Sequence, residues 1–118
     1  MGGSQSFPRA KRLLQRADFE RVRRQGAFVR GNLLSIGCLK SDGAQSRAGF
    51  VTSRRIGNAV VRNRVRRRLR EIFRRHQEGI RGSHDLVTVA NPASAKATFA
   101  ELEHEWLRLA KRTSILAP

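Results

Sequence analysis

The sequence predicts an α+β fold, a small central sheet packed with helices in an α-β sandwich, with elements running α-β-β-(β)-α-β-α. Three observations predict it. Residues 32–40, 47–53 and 84–90 alternate or run apolar at strand length between turn signals, whereas residues 58–76 and 98–109 place apolar side chains at helical spacing. The two patterns are interleaved, so helices must cover a sheet and not only each other. The 118 residues, 39% of them hydrophobic, suffice for one core. Residues 1–118 are therefore read as a single domain, with 1–15 as a flexible basic N-terminal segment.

Within that segment Phe7, Leu13 and Leu14 are the anchors. Residues 18–25 read as a short first helix, with Phe19 and Val22 three apart on one face and Gly26 suited to a left-handed stop. A further short strand is placed near residues 27–30. In 32–40, Leu34, Ile36 and Cys38 share the better core face, and Leu33, Ser35, Gly37 and Leu39 the other. Ser41-Asp42-Gly43 signals a turn. In 47–53, Ala48, Phe50 and Thr52 share one face, and Gly49, Val51 and Ser53 the other. The faces bearing Ser35, Gly37 and Ser53 carry small side chains, which leaves room for something to lie against the sheet. Asn91-Pro92 closes the strand at 84–90. Thr98-x-x-Glu101 is a capping box opening the last helix, and Phe99, Leu102, Trp106 and Leu109 form its core stripe.

Charge narrows the function. There are 25 Lys+Arg against 9 Asp+Glu, a net +16, and 21 of the 25 are Arg. Guanidinium holds a planar donor fork that meets phosphate in bidentate geometry, while ammonium acts as a point charge. All of the net charge lies in residues 1–82; residues 83–118 balance four bases against four acids. That asymmetry points to a polyanion docked on one part of the surface. Cys38, the single cysteine, excludes an intramolecular disulfide, suits a reducing cytoplasm and packs as a small core side chain. With no apolar run after Met1 and no stretch of about 20 apolar residues, a cytoplasmic location without membrane contact is expected.

Residues 54–75 hold ten Arg and one acid, Glu71. At about 100° per residue, Val61, Val65, Leu69, Ile72 and Phe73 fall within an arc of roughly 120°, an ordinary core-facing stripe. Asn63, Arg67, Arg70 and Arg74 fall opposite, Arg66 on one flank, and Arg64, Arg68 and Arg75 on the other. Like charges four apart, as in Arg62/Arg66 and Arg66/Arg70, destabilise a helix, a cost that phosphates would relieve. Arg62 lies inside the apolar arc and is read as a site residue pointing past the sheet edge, the alternative being that local twist at the helix start turns it out to water. Asn58 is the N-cap, and the free N–H groups of the helix start suit an anion.

Arg47-x-Gly49, followed by Ser53-Arg54-Arg55-Ile56-Gly57-Asn58-Ala59-Val60-Val61-Arg62-Asn63-Arg64, resembles the signature of the protein subunit of bacterial ribonuclease P. There a basic pair precedes Gly-x-Ala-Val-x-Arg-Asn and a basic tail. Weaker agreement at Arg12-Leu13, at Asp18-Phe19 with Val22 and Gly26, and at residues 85–92 extends the likeness over most of the chain. The resemblance implies a protein that pairs, as a monomer in a 1:1 complex, with a catalytic RNA to remove the 5′ leader from precursor tRNA. The RNA would hold the Mg²⁺ ions and perform the hydrolysis; the protein would bind no cofactor and supply no catalytic residue. Carried over, Arg62, Asn63, Arg66, Arg67 and Arg70 would meet the catalytic RNA, with Arg54, Asn58 and Arg74 extending that surface. Phe19, Ser35, Gly37, Val51, Ser53 and Arg55, with Arg12 and Arg23, would line a cleft for the leader strand. The resemblance also implies a left-handed β-α-β crossover, against the general right-handed rule. Two positions depart from the pattern: Arg23 stands where a second aromatic is usual, and Asn91 replaces a basic residue.

Rival readings explain less. For an autonomous nuclease, His76, His84 and His104 lack an Asp or Glu at metal-ligand spacing, and His84 and Asp85 point to opposite faces of their strand. A general nucleic-acid coating protein would account for the charge but not for the Gly-Asn-Ala-Val-Val-Arg-Asn-Arg string. A helix-turn-helix is opposed by the strand signals, and a membrane-surface helix by a stripe that the sheet explains better.

Overall fold

The structure, a computed structural model, describes residues 11–12, 15–43 and 45–116; Phe7, Leu13 and Leu14, named above as anchors, lie outside them. Three helices and four strands follow in the order α1 (Arg16–Gln25), β1 (Ala27–Arg30), β2 (Leu34–Lys40), β3 (Arg47–Val51), α2 (Ala59–His76), β4 (His84–Ala90) and α3 (Phe99–Arg112). The further strand at residues 27–30 is real and precedes the other three.

The sheet runs β1-β2-β4-β3. β1/β2 and β2/β4 are antiparallel, while β3 and β4 are parallel and joined through α2. This is the β-α-β crossover that the resemblance implied. One face presents Leu34, Ile36, Cys38, Ala48 and Leu86 to α2 and α3. Val65, Leu69, Ile72 and Phe73 of α2 and Leu102, Trp106 and Leu109 of α3 complete that core, with Val61 and Phe99 at its margin. Both helical stripes and Cys38 therefore stand where periodicity put them. The indole of Trp106, caught in the layer, is satisfied: its Nε1 donates to Thr88 Oγ1 at 3.2 Å.

The helix starts follow the caps. Asn58 Oδ1 accepts from the Val61 amide at 3.0 Å. Thr98 Oγ1 accepts from the Glu101 amide at 3.1 Å while the Thr98 amide donates to Glu101 Oε1 at 2.8 Å, a complete capping box.

Several boundaries and roles move. α1 begins two residues early, at Arg16, so that Asp18 sits in its first turn, where it accepts from Arg21. Gly26 is extended (φ −87°), not left-handed. Glycine is needed there for space, since a Cβ would lie 2.5 Å from the Cys38 carbonyl oxygen and 2.6 Å from that of Val22. Residues 32–33 belong to the β1–β2 turn. Glu105 Oε2 accepts there from the Leu33 and Leu34 amides at 2.6 and 3.2 Å, and Asn91 Nδ2 donates to the Gly31 carbonyl at 2.9 Å. Asn91, where the family pattern has a base, thus ties a turn. β3 stops at Val51 and a 3-10 turn follows over Arg54–Ile56, while Arg66 of α2 donates to the Thr52 hydroxyl between them.

Candidate nucleic-acid interface

The second face of the sheet can be read as rows of paired residues. Leu39, Asp85 and Arg47 form one row; Phe28, Gly37, Val87 and Gly49 the next; Arg30, Ser35, Val89 and Val51 the third. α1 packs on this face, with the fully buried Val22 against Val87. It is pinned over the first row by an ion cluster. Asp85, 2% exposed, accepts from Arg47 Nη2 and Arg21 Nη2, each at 2.9 Å, while Asp18 accepts from Arg21 at 3.0 Å. Burial pushes the Asp85 carboxyl up, but the bonds and charges of Arg47 and Arg21 together outweigh it and hold its pKa below the ordinary value.

With α1 pinned at that end, the rows beyond it stay open. A groove of about 380 Å³ results, lined by Phe19, Arg23, Phe28, Arg30, Val51, Val87 and Val89. Its floor and walls are apolar and its rim carries two exposed arginines, Arg23 and Arg30. A hollow of about 610 Å³ on the opposite side of α1 includes Arg21, Lys40, Arg47 and Asp85, but there the two arginines are taken up by carboxylates.

The groove takes in three of the cleft residues expected from the sequence, Phe19, Arg23 and Val51. Ser35 is half-buried in the third row, beside Arg30 and Val89. Ser53 and Arg55 are exposed just past Val51. Gly37 corrects the sequence reading. It is buried, and the space it frees is filled, because a Cβ there would lie 2.4–2.6 Å from three carbons of the Phe28 ring. Arg12 is corrected too. Its backbone bridges to Ala48 on the outer edge of β3, and its charge acts on Arg70, so it sits beside the arginine helix and does not line the groove. Phe28, Arg30, Val87 and Val89 were missed. The signal for Phe28 was an aromatic inside a four-residue strand whose register against β2 was not legible.

On α2 the arginines divide by face. Asn63, Arg67 and Arg70 are exposed opposite the buried stripe, and Arg54 and Asn58 are exposed at its start. Desolvation, then repulsion from Arg12 and Arg66, lowers the Arg70 pKa from its ordinary value. Arg66 Nη1 also donates to Asn63 Oδ1 at 3.1 Å. Arg62 is half-buried, but it folds back to donate to the Gly57 carbonyl at 3.2 Å and does not reach past the sheet edge. Arg74 Nε donates to Glu71 Oε1 at 2.9 Å, so its charge is partly neutralised, and that bond is the main cause holding the Glu71 carboxyl down at about 2. On the other flank Arg64 and Arg68 donate to the Ala95 and Ala97 carbonyls at 3.0 and 2.9 Å, a structural use.

Among the described residues no three His, Cys, Asp or Glu side chains cluster in a way that could hold a metal ion. His76 Nε2 lies 2.9 Å from Glu103 Oε2 and its ring stacks on Trp106. No described helix is long and apolar enough to cross a membrane.

A basic helix face beside an apolar, arginine-rimmed groove on one small α+β sandwich marks an RNA-binding class of protein. The family model described as Ribonuclease P matches residues 7–114, and the chain belongs to that family. A ribonuclease P protein component from Desulforapulum autotrophicum is 36% identical over 93% of this chain and 94% of its own; one from Acidothermus cellulolyticus is 42% identical over 90% of each. The RNase P protein of Staphylococcus aureus superposes with a TM-score of 0.85 at 25% identity, covering 92% of this chain and 99% of that one. That of Thermotoga maritima, solved with 1-(4-fluorophenyl)-2-thiourea, gives 0.79 at 30% identity, covering 86% and 98%. Membership makes the chain a protein component of an endoribonuclease complex, with an RNA partner and a place in tRNA 5′ processing.

Proposed function

We propose that this protein assists a catalytic RNA subunit in Mg²⁺-dependent removal of the 5′ leader from precursor tRNA, holding the leader strand in the groove beneath α1 and the RNA subunit on the outer face of α2. In this reading the protein is a monomer in a 1:1 complex in the cytoplasm and contributes no catalytic group, the hydrolytic metal ions belonging to the RNA. One observation carries it. Val51 lines the groove while the next residue, Thr52, is bonded by Arg66 of α2. Alternation along β3 thus turns neighbouring residues to opposite sides, and the two surfaces meet at the end of one strand.

Arg54, Asn58, Arg62, Asn63, Arg66, Arg67, Arg70 and Arg74 would contact the RNA subunit, joined by Arg12. Phe19, Arg23 and Val51, with Ser35, Ser53 and Arg55 at the margin, would contact the leader. An apolar floor under a cationic rim suits a single strand, whose bases stack on apolar and aromatic surface while its phosphates meet guanidinium.

The test is cleavage of a precursor tRNA at low Mg²⁺ by the protein alone, by a bacterial ribonuclease P RNA alone, and by both. Cleavage only with both is the expected result. Cleavage by the protein alone would transfer the chemistry to it, and no help to the RNA despite binding would reduce the protein to a coating role.

A further inference from the structure

Phe28 is one of two large hydrophobic side chains exposed among the described residues, at 37%. An exposed aromatic on an edge strand is costly to keep: it leaves apolar area in water and offers an unpaired strand a sticky flank. Here the ring is held in place. Phe28 pairs with Gly37 across β1 and β2, and a Cβ on Gly37 would stand 2.4 Å from the ring's Cζ and 2.6 Å from both Cε carbons. The ring therefore lies on bare glycine backbone, its inner side seated on the sheet and the rest turned to the groove. Arg30 stands two residues on, on the same side of the strand, and Arg23 faces it from α1 across the groove.

We infer that Phe28 is a base-stacking residue for the leader strand, with Gly37 acting as the positioning residue that seats its ring. This rests on the groove being the leader site. It goes beyond that reading by assigning the contact to β1, an element that carries none of the recognised motif. Three features support it together: a fixed ring with an open side, a second aromatic, Phe19, lining the same groove, and two guanidinium groups at the rim. α1 carries Arg23 where another aromatic is usual, so β1 supplies the second stacking surface from the opposite wall. Stacking needs only a π-face, so the contact would be tolerant of leader sequence.

The experiment measures affinity of the reconstituted protein–RNA holoenzyme for a precursor tRNA and for the same tRNA without its leader. Phe28→Ala is expected to weaken precursor binding about 5- to 150-fold, the range for losing one base–aromatic stack, and to leave leaderless binding unchanged. Phe28→Trp is expected to retain the affinity. Gly37→Ala, which keeps the aromatic but unseats it, should reproduce the Phe28→Ala loss, and the double variant should lose no more than either alone. A leader of abasic nucleotides should bind wild type and Phe28→Ala alike. Far-ultraviolet circular dichroism and unfolding midpoints show whether each variant is folded, and Phe28→Ala, altering a partly exposed side chain, provides the decisive comparison. Equal affinities of Phe28→Ala and wild type for the precursor, or equal losses with and without a leader, would overturn the inference. Phe19→Ala separates the two levels. If it shows a leader-specific loss and Phe28→Ala does not, Phe28 is wrongly assigned; if neither does, the groove is not the leader site.

Discussion

Replacing Asp85 with Asn tests how α1 is held over the sheet. The carboxylate is 2% exposed and accepts from Arg47 Nε at 3.1 Å, Arg47 Nη2 at 2.9 Å and Arg21 Nη2 at 2.9 Å. A hydrogen bond to a charged group contributes about 1.5–3 kcal/mol, so three would suggest a larger loss than the site can deliver. Two facts reduce it. The arginine side chains are 39% and 34% exposed and can turn to water, and Asp18 stays within 3.0 and 3.5 Å of them. The amide also keeps one acceptor. After that screening the net cost is about 2–3 kcal/mol, or roughly 10 °C in midpoint for a chain of this length. The pH dependence has a definite sign. The folded pKa lies below the unfolded one, so the carboxylate's contribution is full at neutral pH and is lost as pH falls below about 4. Urea unfolding of wild type and Asp85→Asn should differ by a constant amount from about pH 5 to 8 and converge in acid. No difference at pH 7, or one that persists in acid, would refute the argument that this cluster fixes α1.

Three further substitutions probe separate parts of the argument. Arg67→Ala, on the exposed side of α2, should weaken binding to the RNA subunit and lower the slope of log K against log salt by about one; an unchanged slope would remove Arg67 from the phosphate contacts. Leu69→Ala, at a fully buried position, should cost about 2–5 kcal/mol in unfolding free energy; a loss well under that would mean the α2 stripe packs more loosely than described. Glu105→Ala strips the acceptor from the Leu33 and Leu34 amides. Hydrogen exchange at those two amides should accelerate, with about 2–4 kcal/mol lost overall; unchanged exchange would show that the β1–β2 turn stands without α3.

Periodicity read the buried layer well because each stripe there turns one face to one core. Val65, Leu69, Ile72 and Phe73 form a single apolar face that enters the core shared by the sheet and α3, and the Thr98–Glu101 box marks its helix start by local chemistry alone. The groove was less legible for a physical reason. Its walls come from α1, β1, β3 and β4, and which residues face each other depends on strand register, which no local pattern encodes. Ser35 and Gly37 advertised room on β2, yet Phe28, nine residues earlier than Gly37 in the chain, fills part of it. Arg62 was misjudged similarly: the helical wheel put it in the apolar arc correctly, but only the structure could show the guanidinium folding back to Gly57. Gly26 was read as a conformational stop when its role is close approach to Cys38.

Net charge overstates what an RNA partner would meet. Arg21 and Arg47 are committed to Asp85, Arg64 and Arg68 to carbonyls, Arg74 and Arg75 to Glu71, Arg16 to Glu20, and Arg108 to Glu105. The face of α2 and its approach offer Arg54, Arg67 and Arg70 exposed, with Arg12, Arg62 and Arg66 half-buried beside them. If each of these six meets one phosphate, the slope of log K against log salt for binding the RNA subunit should be about −4 to −5, taking 0.7–0.9 ions released per contact. Counting every base would instead predict a slope several times steeper. A measured slope beyond about −10 would mean that arginines now held by carboxylates exchange them for phosphates on binding, and the ion pairs would then be a latent part of the interface. A slope near −5 would mean that they are scaffold, and that the excess of arginine over what the RNA touches serves to build the fold.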